Sequence, residues 1–225
     1  TPVFVLSDLD FGMNQWMTRP FEYPNQPMDR GKILWEEDLE RLKGDWGRYR
    51  DIDGDGIPYR TVPGNRHAQA AYFTRGTGHD ENARYTEDNI KWYELVERLK
   101  KKYYQASAFV PAPVIEKSEG VKIGIIAYGS TEPAIEEARH LLSKKGLETN
   151  FLRLRAVPFS EEVEEFIDQH EKVYVVEMNR DGQMKQLLTI EFPQHATKLA
   201  SIAFMDGLPL TANYVRDAIL AHEEK

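Results

Sequence analysis

The chain has 225 residues, of which 29 are lysine or arginine and 37 are aspartate or glutamate, giving a formal net charge of -8. This acidic balance argues against nucleic acid and anionic membranes as main partners. The absence of cysteine excludes disulfides, a thiolate nucleophile and cysteine-ligated iron–sulfur clusters on this chain. No apolar run approaches the roughly 20 residues of a membrane helix and no signal peptide opens the chain, so we expect a cytoplasmic protein with no membrane partner.

The first half of the chain combines one apolar run with two helices and a long irregular segment. Residues 3–6 (VFVL) predict a strand, and because no initiator methionine precedes it we expect a piece of a longer chain. A short helix is predicted from about Leu34 to Gly44, and a long amphipathic helix over 86–104 with Thr86 as its N-cap. The segment between the helices has no sustained period, which is typical of a functional loop.

The second half of the chain repeats a strand followed by a helix. Residues 106–120 contain two prolines and predict a linker. After it, strands are predicted at 122–130, 149–157, 172–179 and 198–207, and helices at 132–146, 160–170, 182–192 and from about Thr211 to the end. Because parallel strands need crossover connections, this rhythm predicts an α/β fold with a mostly parallel sheet flanked by helices, preceded by an irregular helix-and-loop insertion.

The turn after the first of these strands is a candidate nucleotide site. Its sequence, AYGSTEP (127–133), has one glycine where a dinucleotide fingerprint has three. An ordinary β–α turn is therefore favoured, and a nucleotide-binding regulatory domain remains an alternative. The six histidines show no close metal-ligand spacing.

The stretch DIDGDG (51–56) matches the first half of a calcium loop. Asp51, Asp53 and Asp55 would supply three carboxylates, and Gly56 would permit the sharp turn. The position of the bidentate glutamate is held by Val62, which removes two of the expected oxygen ligands. A tight turn, in which aspartates accept hydrogen bonds from nearby backbone N–H groups, is favoured over a calcium-binding structural module.

A second loop, YFTRGTGHDENARY (72–85), surrounds two glycines with charged side chains. This composition is typical of a loop that presents a guanidinium or a carboxylate to a polar ligand, with Arg75, His79 and Asp80 as candidate contacts. A solvated surface loop would have a similar composition, so both interpretations stay open.

Four separated motifs together resemble a known family. They are SDLDFGMNQWMTRPFEYP (7–24), DGDGIPYRTVPG (53–64), the loop 72–85, and the βα region with AYGSTEPAIEEA (127–138) and VVEMNRDGQM (175–184). In this order they resemble the alpha subunit of 2-oxoacid:ferredoxin oxidoreductases, especially the 2-oxoglutarate type, across essentially the whole chain. The resemblance implies that residues 1–30 end a pyrimidine-binding thiamin diphosphate domain, 31–115 form a connecting insertion, and 116–225 form a transketolase C-terminal-like domain.

The resemblance also implies an activity for the full complex, the CoA-dependent oxidative decarboxylation of a 2-oxoacid. Thiamin diphosphate with magnesium and an iron–sulfur cluster would supply the chemistry, none of them held wholly on this chain, and a beta subunit would pass electrons to ferredoxin.

In the family, the glutamate that activates the thiamin cofactor precedes the first residue of this chain. We therefore expect no catalytic residue here, an inactive chain in isolation, and a role as scaffold and subunit interface. The resemblance places Arg75, His79 and Asp80 near the substrate, and Asp8, Asp10 and Asn14 are further candidates for ligand contacts.

Overall fold

A computed structural model of the protein describes residues 2–73 and 76–224. The chain divides into two units. We call Thr1–Arg19 with Val110–Lys225 the sheet unit, and Pro20–Phe109 the insertion unit. The division after Phe109 falls inside the segment 106–120 predicted as a linker, while the three-part assignment of domains from the resemblance stays a prediction. Within the described residues, no helix is both long enough and apolar enough to cross a membrane.

Regular elements are concentrated in the second half of the chain. The helices are α1 (Leu9–Met13), α2 (Glu36–Leu42), α3 (Asn89–Gln105), α4 (Glu132–Ser143), α5 (Glu161–Asp168), α6 (Gln183–Glu191) and α7 (Ala212–Glu223). The strands are β1 (Val114–Glu116), β2 (Ile123–Tyr128), β3 (Thr149–Leu154), β4 (Lys172–Glu177) and β5 (Leu199–Ala203). Short 3-10 turns lie at Ala106–Ala108, Gly129–Thr131 and Pro193–Lys198.

The five strands form one sheet in the order β1-β3-β2-β4-β5. Strands β2 to β5 are parallel, and β1 pairs antiparallel with β3. The predicted α/β fold with a mostly parallel, helix-flanked sheet is therefore confirmed. Strand β1 was not predicted and lies inside the segment expected to be a linker. Its three residues are too few to show a period in the sequence.

Both faces of the sheet are buried under helices. Ile125 and Tyr174 point to the face covered by α4 and α7, and Ile126 and Val175 point to the face covered by α5 and α6. Burial on both sides explains why these strands are continuous apolar runs in the sequence. The chain leaves β2 toward β3 and returns to β4 on the other side, so the carboxyl ends of β2 and β4 meet where open α/β sheets usually bind ligands.

The apolar run at the start of the chain forms no strand. The side chains of residues 3–6 are between 84% and 93% exposed, and none of the described strands pairs with them. The strand predicted there is wrong for this structure, because a strand is stable only where a neighbour satisfies its backbone groups. Helix α1 follows, with the Asp8 carboxylate accepting from the Phe11 N–H at 2.8 Å.

The insertion unit has a small core and long irregular connections. Leu39 of α2 is fully buried against Leu34 and Ala70. Helix α3 begins later than predicted, because Asp88 caps it by accepting from the N–H groups of residues 90 and 91 at 2.9 Å. Thr86, predicted as the N-cap, instead accepts from the Asp88 N–H at 3.1 Å. Both residue types cap helices well, so the sequence alone could not separate them.

Candidate functional site

The predicted ligand loop, 72–85, lies in the insertion unit shortly before α3. Arg75 lies outside the described residues. His79 and Asp80 are described, and both are half-buried. A β-bridge between His79 and Tyr85 closes the second part of the loop. The role of these side chains in substrate binding stays a prediction.

Asp80 shapes this loop through its own carboxylate. Its Oδ1 accepts hydrogen bonds from the N–H groups of Asn82 and Arg84, both at 2.9 Å. Between them, Ala83 has a φ of 66°, a left-handed conformation that non-glycine residues rarely adopt. Asp80 therefore stabilises a strained turn, and any test of a binding role must preserve that acceptor.

His79 contacts an aromatic side chain that the sequence did not single out. Its ring stacks on Tyr49, with ring centres 3.9 Å apart and an angle of 23° between the planes. The guanidinium carbons of Arg48 and Arg98 lie 4.7 and 5.6 Å from the centre of the same Tyr49 ring. Tyr49 thus joins the loop to α3. Cation–π contacts of this length orient guanidinium groups.

Lys102 lies one helical turn after Arg98, on the same half-buried face of α3. Burial lowers the pKa of Arg98, and the nearby Arg48 lowers it further. Burial also lowers the pKa of Lys102, and the charges of Arg98 and Arg48 add to the effect. We call these neighbouring residues the Tyr49 cluster: Arg48, Tyr49, His79, Arg98 and Lys102. The four-residue spacing on α3 was visible in the sequence, but nothing local linked it to residues 48 and 49.

The acidic turn 51–56 carries a cation supplied by the chain itself. The Lys32 ammonium lies 2.5 Å from Asp53 Oδ2 and 2.7 Å from Asp55 Oδ2. Partial burial acts to lower the pKa of Lys32, but hydrogen bonds and charge from both carboxylates outweigh it and raise the pKa. Asp51 Oδ2 accepts from the Gly56 N–H at 3.0 Å. These contacts match the tight-turn interpretation.

A metal site at Asp51, Asp53 and Asp55 gains no support from this geometry. In residues 2–73 and 76–224, no group of three or more histidine, cysteine, aspartate or glutamate side chains could hold a metal ion. Lys32 occupies the space between two of the three carboxylates that calcium would need.

We expect the wild-type chain to bind no calcium at millimolar concentration, and the Lys32→Met variant to bind it, because that change leaves two carboxylates without a counter-charge. Isothermal titration calorimetry with calcium chloride tests both. Lys101→Met is a matched control, since Lys101 is near the turn at Gly54 but forms no ion pair within the described residues. Calcium binding by the wild-type chain that is lost in Asp53→Asn would contradict this expectation.

A buried carboxylate lies at the carboxyl end of β4, beside β2, where the order of the strands in the sheet reverses. Glu177, the last residue of β4, is fully buried. Its two oxygens accept from the N–H groups of Met184 at 3.0 Å and Lys185 at 3.2 Å, at the start of α6. The hydroxyl of Tyr128, at the end of β2, donates to Glu177 at 3.5 Å. The anion-binding end of α6 is thus occupied by a side chain of the protein.

The turn at 127–133 is also capped by a carboxylate of the chain. Asp8 Oδ2 accepts from the Ser130 N–H at 3.1 Å, beside Gly129, whose φ is 66°. Hydrogen bonds from the N–H of Phe11 and from Ser130 lower the pKa of Asp8. Asp10 and Asn14, the other candidates, bond to each other at 2.7 Å. The nucleotide-binding alternative gains no support here, because Asp8 already accepts from a backbone amide that a phosphate would use.

Two tyrosines of the sheet unit should resist ionisation. Burial raises the pKa of Tyr128 to about 12, and the charge of Glu177 contributes. Burial likewise raises the pKa of Tyr174 to about 12, with a hydrogen bond to Glu223 adding to the shift. An unfolded tyrosine titrates near about pH 10, so the folded state binds more protons above that pH. Stability from these groups is complete below about pH 10 and is lost as pH rises toward about 12.

A tyrosinate absorbance titration, followed alongside far-ultraviolet circular dichroism, measures this effect. Of the 11 tyrosines, Tyr128 and Tyr174 should ionise last, together with loss of the sheet unit's structure. Tyr128→Phe and Tyr174→Phe should each remove one late-ionising group. Simultaneous ionisation of all tyrosines in the folded chain would disprove the shift.

Comparison with known proteins gives these features a context. No protein-family model matches the chain. The alpha subunit of 2-oxoacid:ferredoxin oxidoreductase 2 from Aeropyrum pernix is 28% identical over 226 residues, which covers 97% of this chain and 33% of that protein. The chain is similar to a 2-oxoacid:ferredoxin oxidoreductase alpha subunit over almost its whole length.

One solved structure has a similar fold over most of this chain. The 2-oxoglutarate:ferredoxin oxidoreductase from Magnetococcus marinus, solved with 2-oxoglutarate, coenzyme A and succinyl-CoA bound, matches with a TM-score of 0.67 and 22% identity, over 80% of this chain and 31% of its own. A split-gene transketolase chain matches over 48% of this chain, with a TM-score of 0.42 and 18% identity. The resemblance to 2-oxoacid:ferredoxin oxidoreductase alpha subunits predicted from the motifs is confirmed, and the chain spans about one third of its curated relative.

Proposed function

We propose that this chain forms part of the alpha subunit of a 2-oxoacid:ferredoxin oxidoreductase. The complex would remove carbon dioxide from a 2-oxoacid, pass the acyl group to the thiol of coenzyme A and deliver two electrons, one at a time, to ferredoxin. The observation that carries the proposal is the 28% identity to such an alpha subunit over 97% of this chain. The shared α/β fold supports it.

The cofactors of the reaction do not fit the described residues of this chain. Thiamin diphosphate with magnesium would supply the decarboxylation chemistry, and an iron–sulfur cluster would carry the electrons. Cluster binding normally needs cysteine, which the chain lacks. No metal-holding group occurs among residues 2–73 and 76–224. We therefore propose that these cofactors are bound elsewhere in the complex, with a beta subunit as the partner, and assign no catalytic residue here.

Helix α3 supports a role as a subunit interface, because its apolar side faces solvent. Trp92, Val96, Leu99 and Tyr103 recur at the spacing of one helical stripe and are between 43% and 55% exposed. The opposite face of α3, which packs on the rest of the insertion unit, is instead basic. Arg98 on this face donates to the Gly56 carbonyl at 3.1 Å. An exposed apolar stripe of this kind is typical of a protein–protein contact. We propose that the beta subunit covers it.

The complex itself provides the test of this function. A tagged chain, expressed in its full natural length and purified from its own host, should bring down a subunit that carries thiamin diphosphate and an iron–sulfur cluster. The preparation should reduce ferredoxin only when a 2-oxoacid and coenzyme A are both present. Leu99→Glu should release that subunit, whereas Lys100→Glu, on the neighbouring exposed position, should retain it. Absence of 2-oxoacid-dependent reduction in an intact complex would refute the proposal.

The finer part of the proposal concerns the substrate and the loop. We propose a 2-oxoglutarate-type enzyme of the cytoplasm, in which Arg75, His79 and Asp80 lie near the distal end of the substrate. The 2-oxoglutarate type is supported by the four sequence motifs, and the loop by the half-buried position of His79 and Asp80.

Two substitutions of Asp80 separate the effect of its negative charge from its role in holding the turn. In the active complex, Asp80→Asn should alter the KM ratio between 2-oxoglutarate and pyruvate by about tenfold while the affinity for thiamin diphosphate stays unchanged. The change removes one negative charge near the distal carboxylate that 2-oxoglutarate has and pyruvate lacks, and about 1.4 kcal/mol of charge interaction is a factor of ten. Asparagine keeps an Oδ1 acceptor for the N–H groups of Asn82 and Arg84. Asp80→Ala removes the acceptor and should destabilise the loop as well. An unchanged KM ratio in Asp80→Asn would remove Asp80 from the substrate site.

A further inference from the structure

Two guanidinium groups lie over Tyr49 and a third basic side chain lies beside them, with little negative charge to balance the three. Arg48 and Arg98 lie over the same ring, and Lys102 is one turn beyond Arg98 on the same face of α3. All three are half-buried. Among the described residues, Asp51 is the carboxylate whose charge opposes this repulsion at Arg98. The cluster therefore holds an excess of about two positive charges, summed from formal side-chain charges.

Several donors of these side chains are unused. The Nε–H of Arg48 is buried and has no hydrogen-bond partner in the part of the chain that the structure describes. The Lys102 ammonium has no hydrogen bond or ion pair to any other described residue. Arg98 uses one N–H group, on the Gly56 carbonyl. Like charges held together in a partly buried site are unfavourable, and unused buried donors are rare in native proteins. Both observations indicate that an anion completes the cluster.

We propose that the Tyr49 cluster is a phosphate-binding site formed by Arg48, Arg98 and Lys102. A phosphate dianion would neutralise the excess charge, whereas a single carboxylate would leave one cation unbalanced. Guanidinium groups bind phosphate oxygens through two parallel hydrogen bonds, and an ammonium adds a compact third charge. The Tyr49 ring holds both guanidinium groups in position before the ligand arrives.

Asp53 and Asp55 of the nearby acidic turn do not compete for these cations. Both are already paired with Lys32. Asp51 accepts from the Gly56 N–H through Oδ2, and its negative charge is the one already counted against the cluster. The site is built from the insertion unit alone, so it can exist whether or not the chain works in the proposed oxidoreductase. The phosphate could come from inorganic phosphate or from the phosphomonoester of a larger cofactor, and these two sources are chemically distinguishable.

Titration calorimetry of the full 225-residue chain with inorganic phosphate at constant ionic strength tests the site. Lys102→Gln should weaken binding by about tenfold, because one charge-assisted contact is lost. Lys100→Gln is the matched control, since Lys100 is exposed two positions earlier on the same helix and should leave the affinity within about twofold. Arg48→Met provides a second test that leaves α3 unchanged, and tryptophan fluorescence checks that each variant is folded.

Coenzyme A and its 3′-dephospho form distinguish the two sources. Tighter binding of coenzyme A than of the dephospho form, lost in Lys102→Gln, assigns the site to a phosphomonoester of a cofactor. Equal binding of both forms, with phosphate still dependent on Lys102, assigns it to the free ion. Equal phosphate affinity of Lys102→Gln, Lys100→Gln and the wild-type chain overturns the proposal. Preference for 2-oxoglutarate over phosphate also overturns it, because the cluster would then be a carboxylate site.

Discussion

Replacing Gly56 by alanine is expected to destabilise the insertion unit by about 2–5 kcal/mol, the sum of a left-handed backbone cost and a steric clash. Gly56 has a φ of 77°, which disfavours any side chain. A Cβ at this position would lie 2.6 Å from the Lys102 backbone nitrogen and 2.9 Å from the Arg98 carbonyl oxygen. Because both atoms belong to the backbone of α3, the clash can be relieved only by moving the turn away from the helix.

Gly54 in the same turn provides the matched control. Its φ is 73°, but a Cβ there would meet only the Lys101 ammonium, at 3.9 Å. Gly54→Ala should therefore lose about 1–2 kcal/mol, the backbone term alone. Urea unfolding followed by tryptophan fluorescence reports mainly on this unit, because three of the four tryptophans, at positions 35, 46 and 92, lie within it and the fourth, Trp16, belongs to the sheet unit. Equal losses for the two variants would show that the turn does not pack on α3.

Replacing Glu177 by alanine is expected to destabilise the sheet unit by about 2–4 kcal/mol, because hydrogen bonds to a buried charged group are lost together. Gly182, at the N-cap of α6, has no side chain to accept from the first N–H groups of the helix. Glu177, at the end of β4, instead accepts hydrogen bonds from two of these N–H groups. Its removal should fray α6 first and expose Leu188, which is fully buried in the core.

Two further variants separate the cap from a general effect of losing an acidic residue. Glu177→Gln keeps one acceptor oxygen and should lose less than half as much stability. Glu191→Ala, at the other end of α6, should be neutral or slightly favourable, because a negative charge near a helix C-terminus is unfavourable. Thermal unfolding by circular dichroism gives the loss, and amide hydrogen exchange locates it. Unchanged exchange of residues 183–186 in Glu177→Ala would contradict the capping role.

The sheet unit was predictable because its signals are local and repeated. Apolar strand runs and helical spacing gave β2 to β5 and α4 to α7, with bounds that differ from the structure by a few residues. The closing helix was predicted to begin at about Thr211, and Thr211 caps α7 by accepting from the Tyr214 N–H at 3.3 Å. The strand predicted at residues 3–6 failed because strand formation depends on a neighbouring strand, which composition alone cannot provide.

The candidate site was less predictable because it depends on residues far apart in the chain. The loop 72–85 was identified from its composition, but its contact with Tyr49, and through it with Arg98, joins three separate segments. Lys32 lies 21 residues before Asp53, so the sequence next to DIDGDG does not indicate its ion pairs. In the sequence, Glu177 does not differ from any other glutamate at a strand end. Its capping role depends on the position of α6 in the fold, which brings two N–H groups to its carboxylate.

The ammonium of Lys32 gives the acidic turn a counter-ion that cannot diffuse away. A bound metal ion is held only at the concentration that its surroundings supply, whereas a tethered charge has a fixed and high effective concentration. We therefore expect the path of residues 51–56 not to depend on calcium supply or on chelators. Loss of this one side chain would leave the carboxylates of Asp53 and Asp55 to be balanced by whatever cations the solution supplies.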